Sequence, residues 1–93
     1  MIDVKEKQKE LLEDHYKCII EKINEHFKHN QSFILRDLLE EQGKNHNYYI
    51  MITKGILMAL LDLEYVRVSG LYNGYKNFIY TPLKEIPLSF NEK

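Results

Sequence analysis

Aromatic, cationic and amide side chains are concentrated near the C-terminal end of this chain, a combination suited to binding nucleic acid. Arg67, Tyr72, Asn73, Tyr75 and Lys76 lie within one stretch of ten residues. Bases of single strands stack on aromatic rings with a gain of about 1–3 kcal/mol each, while nearby lysine or arginine holds the backbone. These residues are therefore the first candidates for a binding surface.

Four further candidates precede this stretch: Lys44, Tyr49, Thr53 and Lys54. On duplex DNA, Thr53 and Lys54 would be the obvious polar contacts of a predicted helix in the major groove. Lys44 and Tyr49 would extend a single-strand surface from the connection before that helix. Because two polar side chains are few for reading base pairs, the pattern favours single-stranded over duplex DNA.

The distribution of charge agrees with a binding surface in the C-terminal half. Residues 1–43 carry seven basic and ten acidic side chains, whereas residues 44–93 carry six basic and four acidic ones and six of the seven tyrosines. The chain as a whole has a net charge of −1, so binding should be modest in strength. A difference of this size also arises on ordinary solvated surfaces, so charge alone does not decide the question.

Patterns for catalysis or metal binding are not evident. Cys18 lies in an apolar helical stripe and is interpreted as a buried structural thiol. His26 and His29 can share a helix face but have no evident third ligand, which favours surface histidines over a metal site. Gly43-Lys44 lacks the upstream glycine of a phosphate-binding loop. We therefore expect a protein with no catalytic site and no cofactor.

Length and composition predict a single cytoplasmic domain of 93 residues. The one cysteine cannot form an internal disulfide, and a reducing compartment follows as the default. No apolar run approaches the roughly 18 residues of a membrane span, and the N-terminus lacks a signal-peptide pattern. We therefore expect no association with membranes.

A long first helix is predicted at residues 4–29, with Asp3 as its N-cap. Its apolar positions keep helical spacing and form one stripe: Leu12, Tyr16, Ile20, Ile23 and Phe27, widened by Leu11, Cys18 and Ile19. Such a helix is long for a chain of this size, and the rest of the chain can cover only part of the stripe. The sequence therefore leaves open a homodimer formed through the first helix.

A helix-turn-helix is predicted at residues 32–63, beginning with a short extended segment around Phe33 and a second helix that ends at Gln42. Thr53 suits the N-cap of a third helix at residues 54–63. An earlier start near Asn47 also keeps helical spacing, but it would place Gly55 inside the helix at a cost of about 1 kcal/mol relative to alanine. The later start is therefore preferred.

The chain then changes to the period of a β-hairpin, predicted at residues 65–81. Strict alternation begins at Tyr65, and Asn73-Gly74 suits the turn. Pro82 ends the returning strand because proline cannot donate to a ladder. The remainder, residues 82–93, is expected to be a tail that lies extended on the surface.

This order of elements resembles the winged helix-turn-helix family over about residues 32–81. The resemblance rests on Phe33-Ile34-Leu35-Arg36-Asp37-Leu38-Leu39, and on Leu60-Leu61-Asp62-Leu63-Glu64-Tyr65-Val66-Arg67, which looks like the step from recognition helix into wing. It implies an α+β fold, a three-helix winged helix-turn-helix with a C-terminal hairpin wing, that binds DNA. One departure is the nine residues between Gly43 and Thr53, where the usual turn has three or four.

A second resemblance is to small proteins carried on staphylococcal chromosomal cassettes and related mobile elements. It rests on Phe33-x-Leu35-x-Asp37-Leu38 and on Ile52-x-Lys54-Gly55. Members of that family look like winged-helix proteins that bind single-stranded DNA, which implies a non-catalytic accessory protein for replication or transfer of a mobile element. Two alternatives remain open: a dimeric winged-helix repressor of duplex DNA, and a module for protein–protein contact.

Overall fold

In the parts of the chain that the structure describes, three helices are followed by a two-stranded antiparallel hairpin, which makes the fold α+β. The computed structural model describes residues 3–39, 47–72 and 77–88. The elements are α1 (Val4–Lys28), α2 (Leu35–Leu39), α3 (Asn47–Asp62), β1 (Val66–Tyr72) and β2 (Asn77–Pro82). The predicted class and order of elements are confirmed, and they are compatible with a winged-helix-like layout.

Helix α1 begins where the sequence predicts, because the Asp3 carboxylate accepts the Lys5 amide at 3.0 Å. The buried positions of α1 are His15, Ile19, Ile20 and Ile23. The predicted stripe is therefore confirmed at Ile19, Ile20 and Ile23, whereas the buried His15 is not among its predicted members. Residues 4–14, all of which the structure describes, include no buried side chain, so this end of α1 contributes little to the core.

Helix α3 begins at Asn47, so the predicted start at Thr53 is wrong and the earlier alternative is correct. Thr53 lies in mid-helix, fully buried, and its hydroxyl donates to the Tyr49 carbonyl one turn back, at 2.7 Å, instead of capping an N-terminus. Gly55 is exposed, and no atom lies within 4 Å of the position a Cβ would occupy. The burial of Leu57 and Leu60 outweighs the unfavourable propensity of this glycine.

One residue outside the hairpin pairs with it: Phe33 forms an isolated antiparallel bridge with Tyr80 of β2. Both backbone hydrogen bonds of this pair form, at 2.9 and 2.8 Å, and the two rings stack with their centroids 5.6 Å apart. The predicted extended segment around Phe33 is thereby confirmed. Residue 33 lies beside β2, which leaves β1 at the edge of the sheet.

The two faces of this sheet differ in what they contact. The inner face, which packs toward the helices, carries Val66, Val68, Leu71, Phe78 and Tyr80. The outer face carries Arg67, Gly70, Tyr72, Ile79 and Thr81. The core lies between the inner face and the helices, and its buried members are Ile19, Ile20, Ile23, Phe33, Leu38, Leu39, Leu57, Leu60, Val66, Tyr80 and Ile86.

The segment after β2 is fixed to α1 by one side chain. Asn24 donates from its amide nitrogen to the Ile86 carbonyl at 2.9 Å and accepts from the Ile86 amide at 2.8 Å. The Ile86 side chain is 1% exposed. At the start of the segment, the Leu83 amide donates to the Tyr65 carbonyl at 2.8 Å. The predicted tail on the surface is therefore corrected as far as Ile86, which belongs to the core.

Shortening the Ile86 side chain should destabilise the whole domain. Ile86→Ala removes buried apolar atoms and leaves a cavity between the tail and α1, which costs about 2–5 kcal/mol. Leu88→Ala is the matched control, because Leu88 is 49% exposed and surface substitutions change stability by about 0.5 kcal/mol or less. Urea unfolding of both variants measures the difference. Equal stabilities would contradict the docking of the tail.

The raised pKa values of two tyrosines predict that the folded state loses stability at alkaline pH. Burial raises the pKa of Tyr80 above its ordinary value of 10, and burial followed by the neighbouring Tyr65 raises the pKa of Tyr16. The folded state therefore favours the neutral phenol. The contribution of these two phenols to the free energy of unfolding is fully present below pH 10 and is lost as the pH rises through their pKa values in the folded state.

Tyr80→Phe should move the midpoint of alkaline unfolding to higher pH, as followed by circular dichroism. Tyr72→Phe, at an exposed position, is the control and should leave the midpoint in place. A midpoint unmoved by Tyr80→Phe would show that Tyr80 ionisation does not limit stability.

Candidate nucleic-acid interface

An irregularity in β1 brings two of the predicted site residues to the same face of the sheet. In a regular strand, Arg67 and Tyr72 would point to opposite faces because they are five residues apart. The register shifts between Val68 and Gly70, so that Ser69 is an extra residue in β1. Arg67 then pairs with Thr81, and Tyr72 pairs with Asn77. Both side chains consequently lie on the outer face, and both are exposed.

A row of hydroxyl groups crosses the outer face and holds this irregularity in place. The Thr81 hydroxyl donates to the Ser69 hydroxyl at 2.8 Å, which donates to the Ile79 carbonyl at 3.3 Å. Ser32 lies 2.8 Å from the Thr81 oxygen and must be the donor, since Thr81 has already used its single proton. The protons of all three hydroxyls are therefore engaged within the sheet. Their role is to position the strand.

An open groove of about 350 Å³ lies between the outer face and the segment that leads into α2. Its lining includes Ser32, Ile34, Arg36, Asp37, Tyr72 and Ile79. The Asp37 carboxylate accepts the Ile34 amide through Oδ2 at 2.9 Å, which fixes the side chain at the groove. Arg36 is exposed beside it. The groove therefore combines an aromatic ring, an aliphatic floor, a cation and a carboxylate.

The residues of α3 that were predicted to contact DNA do not lie on the outer face of the sheet. Thr53 is fully buried, so its predicted contact with DNA is corrected to a structural role. Its hydroxyl lies 2.8 Å from Nε2 of the buried His15. Because Thr53 donates its proton to the Tyr49 carbonyl, the hydrogen of this contact must come from His15, which places the proton of the imidazole on Nε2.

Tyr49 packs its half-buried ring against His15, with the centroids 4.9 Å apart. This contact joins α1 to α3, and the role of Tyr49 in binding stays a prediction. Lys54 is exposed on α3, on the helical side of the sheet, and so does not join Arg67 and Tyr72. The predicted residues Lys44, Asn73, Tyr75 and Lys76 lie outside the described residues.

The remaining exposed surface of α3 is mostly apolar. Met51 is 73% and Met58 is 70% exposed, and Tyr48 is also exposed. Lys54 is the one cation in the sequence of α3. This helix therefore offers few donors and acceptors for the edges of base pairs.

The sequence predicts Tyr72 of the groove as a site residue, but it does not predict Arg36 or Asp37, nor His15 as the partner of Thr53. Arg36 and Asp37 reach the outer face only because residue 33 pairs with residue 80, and no local pattern specifies that pairing. His15 stands next to Tyr16, which has the more usual residue type for an apolar stripe. The one signal present was the spacing from Ile34 to Asp37, which suits a carboxylate that bonds back to an amide three residues earlier.

Neither a metal site nor a membrane span is found within residues 3–39, 47–72 and 77–88. In these ranges, no group of three or more histidine, cysteine, aspartate or glutamate side chains could hold a metal ion. Likewise, no helix formed by the described residues is both long and apolar enough to cross a membrane. Comparisons with protein families, with curated proteins and with solved structures found no match to this chain.

Removing the Thr53 hydroxyl should destabilise the contact between α1 and α3. Thr53→Val keeps the shape of the side chain but leaves the Nε2–H of His15 without this acceptor, which costs about 1–3 kcal/mol. Lys54→Ala, at the next and exposed position, should change stability by about 0.5 kcal/mol or less. Chemical denaturation measures both, and nitrogen-15 spectra of the imidazole report the tautomer. A Thr53→Val variant as stable as the parent, or spectra that show Nε2 without a proton, would argue against the assigned hydrogen bond.

Proposed function

We propose that this protein is a non-catalytic winged helix-turn-helix domain that binds single-stranded DNA on the outer face of its sheet. The observation that carries the proposal is the extra residue Ser69, which aligns Arg67 and Tyr72 on one exposed face. The order of the elements and the pairing of Phe33 with Tyr80 support the winged-helix part of the proposal.

The chemistry of the outer face suits an unpaired strand. Tyr72 offers a ring on which one base stacks, worth about 1–3 kcal/mol. Arg67 on the same face and Arg36 at the groove offer cations for the backbone. A duplex would first have to be opened, at a cost of a few kcal/mol, before a base could reach Tyr72. The face therefore favours single strands, and its few cations imply modest affinity that depends on salt.

The role of the protein in the cell is part of the same proposal. The resemblance to proteins of mobile elements supports a cytoplasmic accessory role in replication or transfer of such an element. Self-association through α1 would draw on Val4 and Leu11, the exposed large apolar side chains of its N-terminal part. These two residues supply a small contact, so we place DNA binding in the single copy.

A second candidate function is contact with another protein, and one observation favours it. Large apolar side chains are exposed on α3 and on the inner face of the hairpin beyond the core: Met51, Met58, Val68, Leu71 and Phe78. Exposed apolar patches mark interaction surfaces more often than single exposed residues do. Val68, Leu71 and Phe78 lie on the inner face, so they are separate from the face assigned to DNA.

The decisive experiment titrates fluorescently labelled single-stranded and duplex DNA of equal length at two salt concentrations. Tyr72→Leu should weaken single-strand binding about 5- to 100-fold, because stacking is removed while apolar area is kept. Arg67→Ala should lower the slope of log K against log salt by about 0.7 for each phosphate that is no longer neutralised. Leu71→Ala, one residue away on the inner face, is the control and should bind as the parent does.

Three outcomes distinguish the candidate functions. Single-strand binding that Tyr72→Leu and Arg67→Ala leave unchanged would remove the outer face from the interface. Stronger binding of duplex DNA, abolished by Lys54→Ala, would favour a repressor that uses α3. Absence of binding to both forms of DNA would leave contact with another protein as the better account.

A further inference from the structure

The groove beside Tyr72 has the features of a pocket for one base. We propose that it holds a single unpaired base of the bound strand and that Asp37 makes it selective for guanine. The inference rests on the proposed single-strand binding and adds a preference that the outer face alone does not supply. Three features support it: the shape of the groove, the fixed position of the Asp37 carboxylate and the hydrogen-bonding edges of the four bases.

The groove is suited in shape and lining to a flat aromatic ring. Its volume of about 350 Å³ lies at the lower end of small-molecule sites, which span about 300–1,000 Å³. The Tyr72 ring and the side chains of Ile34 and Ile79 supply aromatic and aliphatic contacts for the faces of a base. Because the groove is open, a base still joined to its strand can enter from the side of the outer face.

The polar groups of the groove favour a base over a phosphate as its occupant. Asp37 contributes a negative charge, which opposes a phosphate at the same place. The Ile34 amide is already engaged by Asp37 Oδ2 at 2.9 Å. Arg36, which also lines the groove, and Arg67 on the outer face are both exposed, so that they can reach the phosphates of the strand. The arrangement therefore places the base at Asp37 and the phosphates at the arginines.

Asp37 can select among bases because a carboxylate only accepts hydrogen bonds. Its bond to Ile34 holds it in place and uses one lone pair of Oδ2, so that Oδ1 and the second lone pair of Oδ2 can accept two donors of a ligand. Guanine presents two adjacent donors, the N1 hydrogen and the 2-amino group, on an edge that is free only in an unpaired strand. Adenine and cytosine present one amino group beside an acceptor nitrogen, and thymine presents one N–H between two carbonyl oxygens. Guanine alone offers a carboxylate two neighbouring donors, and its O6 acceptor lies on the other side of N1 from the 2-amino group.

The test uses the full chain and short thymine strands that carry one different base at the centre. Discrimination by a two-donor contact is worth about 1–3 kcal/mol, so the strand with guanine should bind about 5- to 100-fold more tightly than the strand with adenine. Adenine controls for the stacking of a purine. Hypoxanthine, which keeps the N1 hydrogen but lacks the 2-amino group, should give an intermediate affinity. Fluorescence anisotropy measures the affinity of each strand.

Asp37→Asn tests the residue itself. Asparagine keeps an oxygen that can accept the Ile34 amide, so the groove is preserved, but the second acceptor becomes a donor. The preference for guanine over adenine should fall to about twofold or less. Asp62→Asn is the matched control, since it removes the same charge from an exposed position at the end of α3 and should retain the preference. Thermal unfolding of both variants confirms that the fold is intact.

The outcomes separate this inference from the proposed function. Equal affinity for guanine and adenine strands would overturn the guanine pocket while leaving single-strand binding in place. A preference for guanine that Asp37→Asn does not reduce would assign the selectivity to another residue and would also overturn the inference. If none of the strands binds, the proposed function fails and the inference fails with it.

Discussion

The two backbone hydrogen bonds between Phe33 and Tyr80 are the contact on which both sides of this structure depend. On the inner face, they stack two buried rings and tie the segment before α2 to the core. On the outer face, the same pairing brings residues 32–37 beside β2 and so forms one wall of the groove. Core and candidate site therefore share one strand pairing, and a change that shifts its register would alter both.

The extra residue in β1 has two physical effects at once. It sets the phase of the strand, so that Arg67 and Tyr72 share a face. It also interrupts the edge of the sheet, and such interruptions hinder the pairing of an exposed edge with another chain. The hydroxyl groups of Ser69 and Thr81 stabilise the local geometry with bonds that lie within the sheet.

The sequence predicted well those features that local periodicity controls, and less well those that distant contacts decide. The order of the helices, the hairpin and the cap at Asp3 follow from patterns within a few residues. Thr53 was misplaced because its type suits an N-cap, whereas a contact with His15, 38 residues away, decides its role. The groove was not predictable for the same reason, since Asp37 and Tyr72 meet only through strand pairing. The extra residue Ser69 decides which face of the sheet the later side chains of β1 occupy. The alternation of apolar and polar residues in the sequence gives no sign of an extra residue there.

The contact between Asn24 and Ile86 has a consequence for how the chain folds. It joins residues 62 apart in sequence, and closing a flexible loop of that length costs about 4 kcal/mol of chain entropy. Helix α1 and the hairpin are local structures whose closure costs are much smaller, so they form before this contact becomes favourable. Docking of the segment that contains Ile86 is thus a late step, which completes the core after the other elements have met. A chain stalled before that step would keep its hairpin and helices but expose the apolar surface of α1 that Ile86 covers.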